Sequence, residues 1–347
     1  MHHDDAIALL DRAPTITVAG APAGDAPLLR IVHGVVVDGW LAFHGGPKGA
    51  KTGLVGQPVV IAAHETLAVL PSWWFHAERA CPATTWYRSV EVHGVLREID
   101  DPTVRAAALQ RLMRRLQPEG RHRPVAADDP MYREVVAGLL IAGVRLDDVR
   151  GKDKRGQGKR PALVRRVLDG LWERGAPGDL AALESIREAR PDVAVPRFEA
   201  PGASLHVQGG ERWAHAAAQA VADAYWNAPT DGFAGHPVDR LAAAHLDSSA
   251  WVFAVHDDVL VATARATGDG AKAAWVYDVW VAPDRRGTGL GTAVMRLLLD
   301  HPAVRRASRV HLATRDAGPF YARLGFRLAH TQPVGSHTRE FWTLTRS

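Results

Sequence analysis

A single cysteine, Cys81, occurs in 347 residues. That excludes an intramolecular disulfide framework and a zinc ribbon, and it suits a reducing compartment. No apolar run reaches the roughly 18 residues that a membrane-spanning helix needs. The opening Met1-His2-His3-Asp4-Asp5 lacks the basic flank and apolar core of a signal peptide, so a soluble cytoplasmic protein is expected. Lysine is scarce, at 6 of the 42 basic residues, while arginine and alanine abound. Such usage fits the coding bias of a GC-rich bacterium. Charge of one sign is also lacking: 42 Lys+Arg against 38 Asp+Glu leave +4. A polycationic nucleic-acid tail is thereby excluded. With 47% apolar and 23% charged residues, so is a disordered chain.

The length itself suggests two domains at about 150 residues each. Two stretches interrupt the periodic pattern. Arg150 to Pro161 is basic and Gly-rich, without apolar residues at strand or helix spacing, and reads as a loop. Arg190 to Gly202 carries three prolines. Between them Leu163, Val167 and Leu171 recur at helical spacing, and Gly175-Ala176-Pro177-Gly178 breaks that run in two. Proline favours exposed extended chain, which places a linker at 190–202, between a first domain at 1–189 and a second at 203–347.

The first domain reads as strands at Thr15–Ala19, Leu28–Val37, Trp40–His44, Val59–His64, Thr66–Val69 and Tyr87–Ile99. Asp38-Gly39 marks a two-residue hairpin between two of them. A helix follows at Pro102–Leu116, and short strands with few helices suggest a small barrel. After the linker the pattern turns α/β. Helices are expected at Glu211–Trp226, Gly289–His301 and Gly318–Leu324, and strands at Val252–His256, Val259–Ala264, Ala274–Ala282 and Arg309–Thr314.

In the second domain a strand runs into Arg285-Arg286-Gly287-Thr288-Gly289-Leu290-Gly291 and then directly into an amphipathic helix. Glycines let the backbone approach a ligand, and the amides of the loop and first helical turn converge on one point. Together with the helix dipole they make a site for a phosphate or pyrophosphate; the plainer alternative is a connecting turn. A dinucleotide fingerprint would need glycine where Val294 stands, and no P-loop lysine is present.

Arg286-Gly287-Thr288-Gly289-Leu290-Gly291 resembles the Arg/Gln-x-x-Gly-x-Gly/Ala signature of GNAT N-acetyltransferases. Leu312–Asp316 and Phe320–Phe326 resemble that family's late strand, helix and closing segment, and the likeness runs from about Leu205 to Leu344. It implies an α/β fold with a mixed sheet, acetyl-CoA as donor and a small-molecule amine as acceptor. The pyrophosphate would lie on the amides of Arg286, Gly287, Thr288, Gly289, Leu290, Gly291 and Thr292. The pantetheine would lie between the strands at 274–282 and 309–314, with the thioester carbonyl on amides between Val279 and Val281. Tyr321 stands where the family places its general acid, the alternative being a tyrosine packed under the ligand. Asp278, mid-strand in an apolar run, is a general base, a binder of the amine or a structural hydrogen-bond acceptor. Tyr225, Trp226 and Asp231 would frame the acceptor, the alternative being that the aromatics belong to the core.

A second resemblance rests on Phe43–Lys51, Trp86–Gly94, Gln117–Gly120 and Gly151–Gln157. In order, these look like the pyridoxamine 5′-phosphate oxidase-like split barrels, in their nitroimidazole-reductase-like branch. The resemblance implies a mainly-β split barrel with flanking helices, a homodimer, and FMN in a groove between subunits. Lys51, Arg88 and Ser89 would then hold the flavin phosphate, and His44 and Trp86 would flank the ring. One cation, Lys51, stands where the family usually has a basic pair, and Gly156-Gln157-Gly158-Lys159-Arg160 replaces its usual Gly-Gln-Asn-Arg.

Arg145 to Arg166 holds nine basic residues against three Asp. This local excess fits a solvated loop or a contact to a flavin phosphate, and without interleaved aromatics nucleic acid is not the expected partner. No His pair has metal-site spacing beside an acid, so no metal is expected. Taken together the sequence points to a GNAT acetyltransferase fused to a flavin-type barrel with a possible oxidoreductase activity. Its rivals are an acetyltransferase whose barrel only dimerises and a sensor of flavin or polyanion.

Overall fold

The computed structural model describes residues 1–226, 236–334 and 337–346, and of Trp226 the backbone alone. The chain forms two compact units: residues 1–70 with 83–155, and residues 71–82 with 156–347. The helices at 161–174 and 179–189, which the sequence reading joined to the barrel, pack within the second unit. There the Trp172 indole donates to Asp300 at 2.9 Å and meets the Phe198 ring edge-on at 5.4 Å.

The first unit contains α1 (His3–Arg12), β1 (Ile16–Gly20), β2 (Leu28–Val32), β3 (Gly34–Val37), β4 (Trp40–Gly45), β5 (Pro58–Leu70), β6 (Thr84–Val95), β7 (Arg97–Glu98), α2 (Pro102–Leu116), α3 (Arg133–Gly138), β8 (Leu140–Arg145) and β9 (Val149–Lys154). They build two antiparallel sheets, in the orders β2-β1-β5-β6-β9 and β3-β4-β8-β7. Strand alternation divides the second sheet cleanly. Leu41, Phe43, Leu140, Ala142 and Val144 face a core shared with α1 and with Ile61, Val90 and Val92 of the first sheet. Ala42 and Ile141 face Ala108 and Leu112 of α2 instead.

Asp38 and Gly39 both adopt positive φ, 46° and 73°, in the β3–β4 turn, the conformation that a two-residue hairpin requires. Asp101 caps α2 by accepting from the Thr103 amide at 2.8 Å, with Pro102 in the first turn; such a cap contributes about 1 kcal/mol. Val149–Lys154, of which residues 150–154 were expected as loop, is an edge strand on β6. Its charged side chains hid it, because edge strands commonly carry charge on their open side.

The second unit contains α4 (Pro161–Arg174), α5 (Asp179–Ala189), β10 (Glu199–Ala200), β11 (Ala203–His206), α6 (Glu211–Val221), α7 (Val238–Leu246), β12 (Ala250–His256), β13 (Val259–Gly268), β14 (Ala273–Val281), α8 (Leu290–Asp300), β15 (Arg309–Thr314), α9 (Gly318–Arg323), β16 (Arg327–Val334) and β17 (His337–Thr345). The sheet runs β10-β11-β12-β13-β14-β15-β17-β16, and β14–β15 is parallel among antiparallel neighbours. The small side chains Ala214, Ala217 and Ala218 let α6 approach Trp251 and Phe253 closely. From α8, Leu290, Val294, Met295 and Leu298 are buried.

Candidate functional site

In the second unit the candidate groups gather where two parallel strands part. The β14–β15 ladder runs from Ala273↔Arg309 to Trp275↔His311 and then stops. Past that point β14 bulges against β13: Thr263 opposes Trp280 and Arg265 opposes Tyr277. Asp278 and Val279 thus stand against Ala264 alone, and Asp278 takes φ 52°. Bulges of this kind re-aim side chains and amides.

The Gly-rich segment follows directly. Gly287 and Gly289 have φ 78° and 94°, a region costly to residues with a Cβ. The Thr288 hydroxyl closes the turn on the Arg285 carbonyl at 2.8 Å, and the Arg286 Nε donates to the Val281 carbonyl at 3.2 Å. Ala293 donates to the Gly289 carbonyl at 3.1 Å. The preceding amides of Leu290, Gly291 and Thr292 belong to the first turn of α8, where no intrahelical acceptor exists. Leu290 offers only its amide, since its side chain is buried. Gly291 lies against Val281 and Phe320, leaving little room for a side chain.

Two tyrosines border the splay. After α6 the chain makes one π-helical turn, Ala222–Trp226, a feature frequent at functional sites. From it the Tyr225 hydroxyl donates to the Val279 carbonyl at 2.8 Å. Burial pushes the Tyr225 phenol up, and it feels Arg286, Asp316 and Asp278. Tyr321, on α9, is buried against Phe320 and Phe326. Burial foremost, then Tyr225 and Asp316, drives its phenol far above the ordinary range, so it stays protonated. Asp278 forms an ion pair with Arg265, Nε to Oδ2 at 2.5 Å. Sequence reasoning passed over Arg265, although a lone arginine among the small apolar residues of β13 was the available signal. Asp231 lies outside the described residues, as does the side chain of Trp226.

The barrel distributes its candidate residues instead of gathering them. Trp86 is 1% exposed; it shares the inward row of β6 with Val90 and Val92, so it is core. Arg88 and Ser89 are neighbours on one strand and point to opposite faces. The Arg88 guanidinium is engaged by its cross-strand partner Glu65 at 2.7 Å, and Arg12 reaches the same carboxylate at 3.0 Å. Partial burial opposes ionisation of Glu65, yet hydrogen bonds from Arg12 and Arg88 hold its carboxyl below the usual range. Ser89 faces outward opposite Lys152. The nearby Lys152 and Lys154 ammonium groups lie 5.6 and 5.5 Å from the centre of the Tyr87 ring.

His44 lies on the other sheet, paired with Ile141 on the face toward α2. Burial, then His33 and Lys51, lowers its proton affinity. The Lys51 side chain folds back over Gly45. Within one chain these five residues do not form one cradle.

Residues 2–153 match the model of the pyridoxamine 5′-phosphate oxidase family, and residues 218–326 match that of the acetyltransferase (GNAT) family. The GCN5-related N-acetyltransferase 1, chloroplastic, of Arabidopsis thaliana is 40% identical over 89 residues. That stretch is 25% of this chain and 45% of the relative, so the match spans less than half of the relative's length. Among solved structures, an aminoglycoside 6′-N-acetyltransferase complexed with coenzyme A is 15% identical, covering 41% of this chain and 96% of that one at a TM-score of 0.36. The flavocytochrome Anf3 of Azotobacter vinelandii is 20% identical, covering 43% and 66%, also at 0.36. Among the described residues no helix is long and apolar enough to cross a membrane. The chain joins two families, a pyridoxamine 5′-phosphate oxidase segment at 2–153 and a GNAT acetyltransferase segment at 218–326.

Proposed function

We propose that the second unit transfers the acetyl group of acetyl-CoA to the amine of a small molecule. The observation that carries this reading is the run of first-turn amides at Leu290–Thr292, set by the positive φ of Gly287 and Gly289 beside a splayed parallel strand pair. Amides at a helix N-terminus suit the donor's pyrophosphate. The amides from Val279 to Val281 polarise the thioester carbonyl. The acceptor arrives as a neutral amine; its nitrogen attacks the carbonyl carbon, the C–N bond forms, the C–S bond breaks, and the proton shed by the nitrogen ends on the departing sulfur, giving CoA thiol. Tyr321 remains protonated and donates its O–H to the departing sulfur. A phenol so far above a thiol's range of about 8.5 stabilises the thiolate mainly as a hydrogen-bond donor. Tyr225, whose hydroxyl reaches the Val279 carbonyl at 2.8 Å, borders the acceptor.

The test is acetyl transfer from acetyl-CoA to a panel of small amines, read as release of CoA thiol. Tyr321→Phe is expected to lower kcat by about 100-fold with CoA affinity unchanged. Unchanged turnover in that variant removes Tyr321 from the chemistry, and no thiol release with any amine counts against the reading.

For the barrel we propose a homodimer through the outward face of its five-stranded sheet and assign no chemical step. Leu29 and Ile31 are 58% and 67% exposed on that face, an apolar surface that burial against a second copy would stabilise. Sedimentation of Ile31→Lys should give a monomer where the parent chain gives a dimer; a parent that sediments as a monomer contradicts the proposal.

A further inference from the structure

We infer that Arg265 is a positioning residue: its ion pair with Asp278 fixes the β14 bulge and thereby aims the Val279 and Val281 amides into the splay. The inference rests on the acetyl-transfer reading above and gives Asp278 a task other than that of a base.

The bulge needs something to hold it. Asp278 is a non-glycine residue at φ 52°, a conformation that is unfavourable for a residue with a Cβ and persists where its surroundings enforce it. Beyond Trp275 no β15 ladder restrains this stretch. The restraint comes from β13. Arg265 and Asp278 side chains are only 13% and 8% exposed, with Nε and Oδ2 2.5 Å apart. The same guanidinium lies over the Tyr277 ring at 4.9 Å, and its Nη1 reaches the Ser248 hydroxyl at 3.4 Å. One arginine thus grips two successive residues of β14, Tyr277 by its face and Asp278 by its edge.

The grip is itself braced. Trp251, the cross-strand partner of Arg265, donates its indole N–H to the Thr263 hydroxyl at 2.9 Å. Its ring meets His245 edge-on at 5.5 Å. His245 donates Nδ1–H to the Leu241 carbonyl at 2.8 Å, and its Nε2 is buried without a partner among the described residues. Burial keeps that imidazole neutral, so it does not compete with Arg265 for the carboxylate. On the outer side, the Val279 carbonyl receives the Tyr225 hydroxyl. A carboxylate committed in this way to Arg265 is poorly placed to take a proton from an amine.

The test uses the full chain with acetyl-CoA labelled with 13C at the carbonyl. The infrared band of the bound carbonyl reports its polarisation, and calorimetry with CoA alone reports the pyrophosphate loop. Two variants are needed. Arg265→Lys keeps the charge and loses the fork. Arg265→Met combined with Asp278→Gly leaves no unpaired buried charge that would unfold the chain, and glycine still permits the positive φ. In the parent the band lies below that of free acetyl-CoA. In both variants CoA affinity is expected to be unchanged while the band returns to its free position. A band that stays shifted in both variants makes the pair merely structural and overturns the inference. So does a parent that binds CoA and shows no shift. A parent that binds no CoA instead overturns the acetyl-transfer reading beneath it.

Discussion

Two glycines, one in each unit, serve opposite ends, and the contrast bears on why one candidate site is compact and the other is dispersed. In the second unit Gly289 has open space and an unusual φ of 94°, with its nearest neighbour Pro201 3.7 Å from a notional Cβ. In the barrel Gly143 has no such φ and no space: a Cβ there would meet the Leu41 carbonyl oxygen at 2.6 Å. The first glycine shapes a backbone that, on the proposed reading, presents amides to a ligand. The second lets two strands pair closely over a core. A site made of backbone amides stays together wherever its loop is formed. A site made of side chains depends on the pleat, which sends Arg88 inward to Glu65 and Ser89 outward to Lys152.

The contrast can be strained from both sides. The largest effect is expected in the barrel. Gly143→Val meets backbone that cannot yield and should cost about 3 kcal/mol, seen as a lower denaturation midpoint with unchanged CoA affinity per folded molecule. Acid should separate the units next. His301, 2% exposed beneath Trp172, has its pKa lowered to about 4 by burial and then by Arg305. The unfolded state takes up a proton near pH 6.5 that the folded state refuses until about 4. Stability is therefore full above about 6.5 and falls as pH drops toward 4, by up to about 3 kcal/mol. His301→Asn should flatten that slope in a pH series of melting curves. The contribution of Glu65 in the barrel lies lower: it is present above the usual carboxylate range and lost as pH falls through its depressed value. The smallest effect is on binding. Gly289→Val strains the loop by about 2 kcal/mol and should weaken CoA by about 30-fold in calorimetry, with the barrel's melting unchanged.

Much of this was legible in the sequence, and what was not has physical causes. Helix Pro102–Leu116 and strand Arg309–Thr314 fall where periodicity placed them. Asp38-Gly39 and the Gly287–Gly289 loop were readable because they specify backbone dihedrals locally. β9 was missed because its charged outer side chains mask the alternation. β16 and β17 were missed for a similar reason, β16 being exposed along nearly its whole length. Trp86 was ambiguous because an aromatic beside a basic residue reads the same whether it is core or ligand wall. Only its register against β5 separates the two. The Arg265–Asp278 pair is a contact between strands, and one sequence carries no direct sign of which residues face each other.

Hydrogen exchange of the full chain, with and without CoA, tests the central claim most directly. Binding at the loop amides predicts slowed exchange in the peptide spanning 286–292, with the barrel peptides at 44–51 and 86–89 unchanged. Slowing confined to those barrel peptides, with the 286–292 amides exchanging as before, would contradict it.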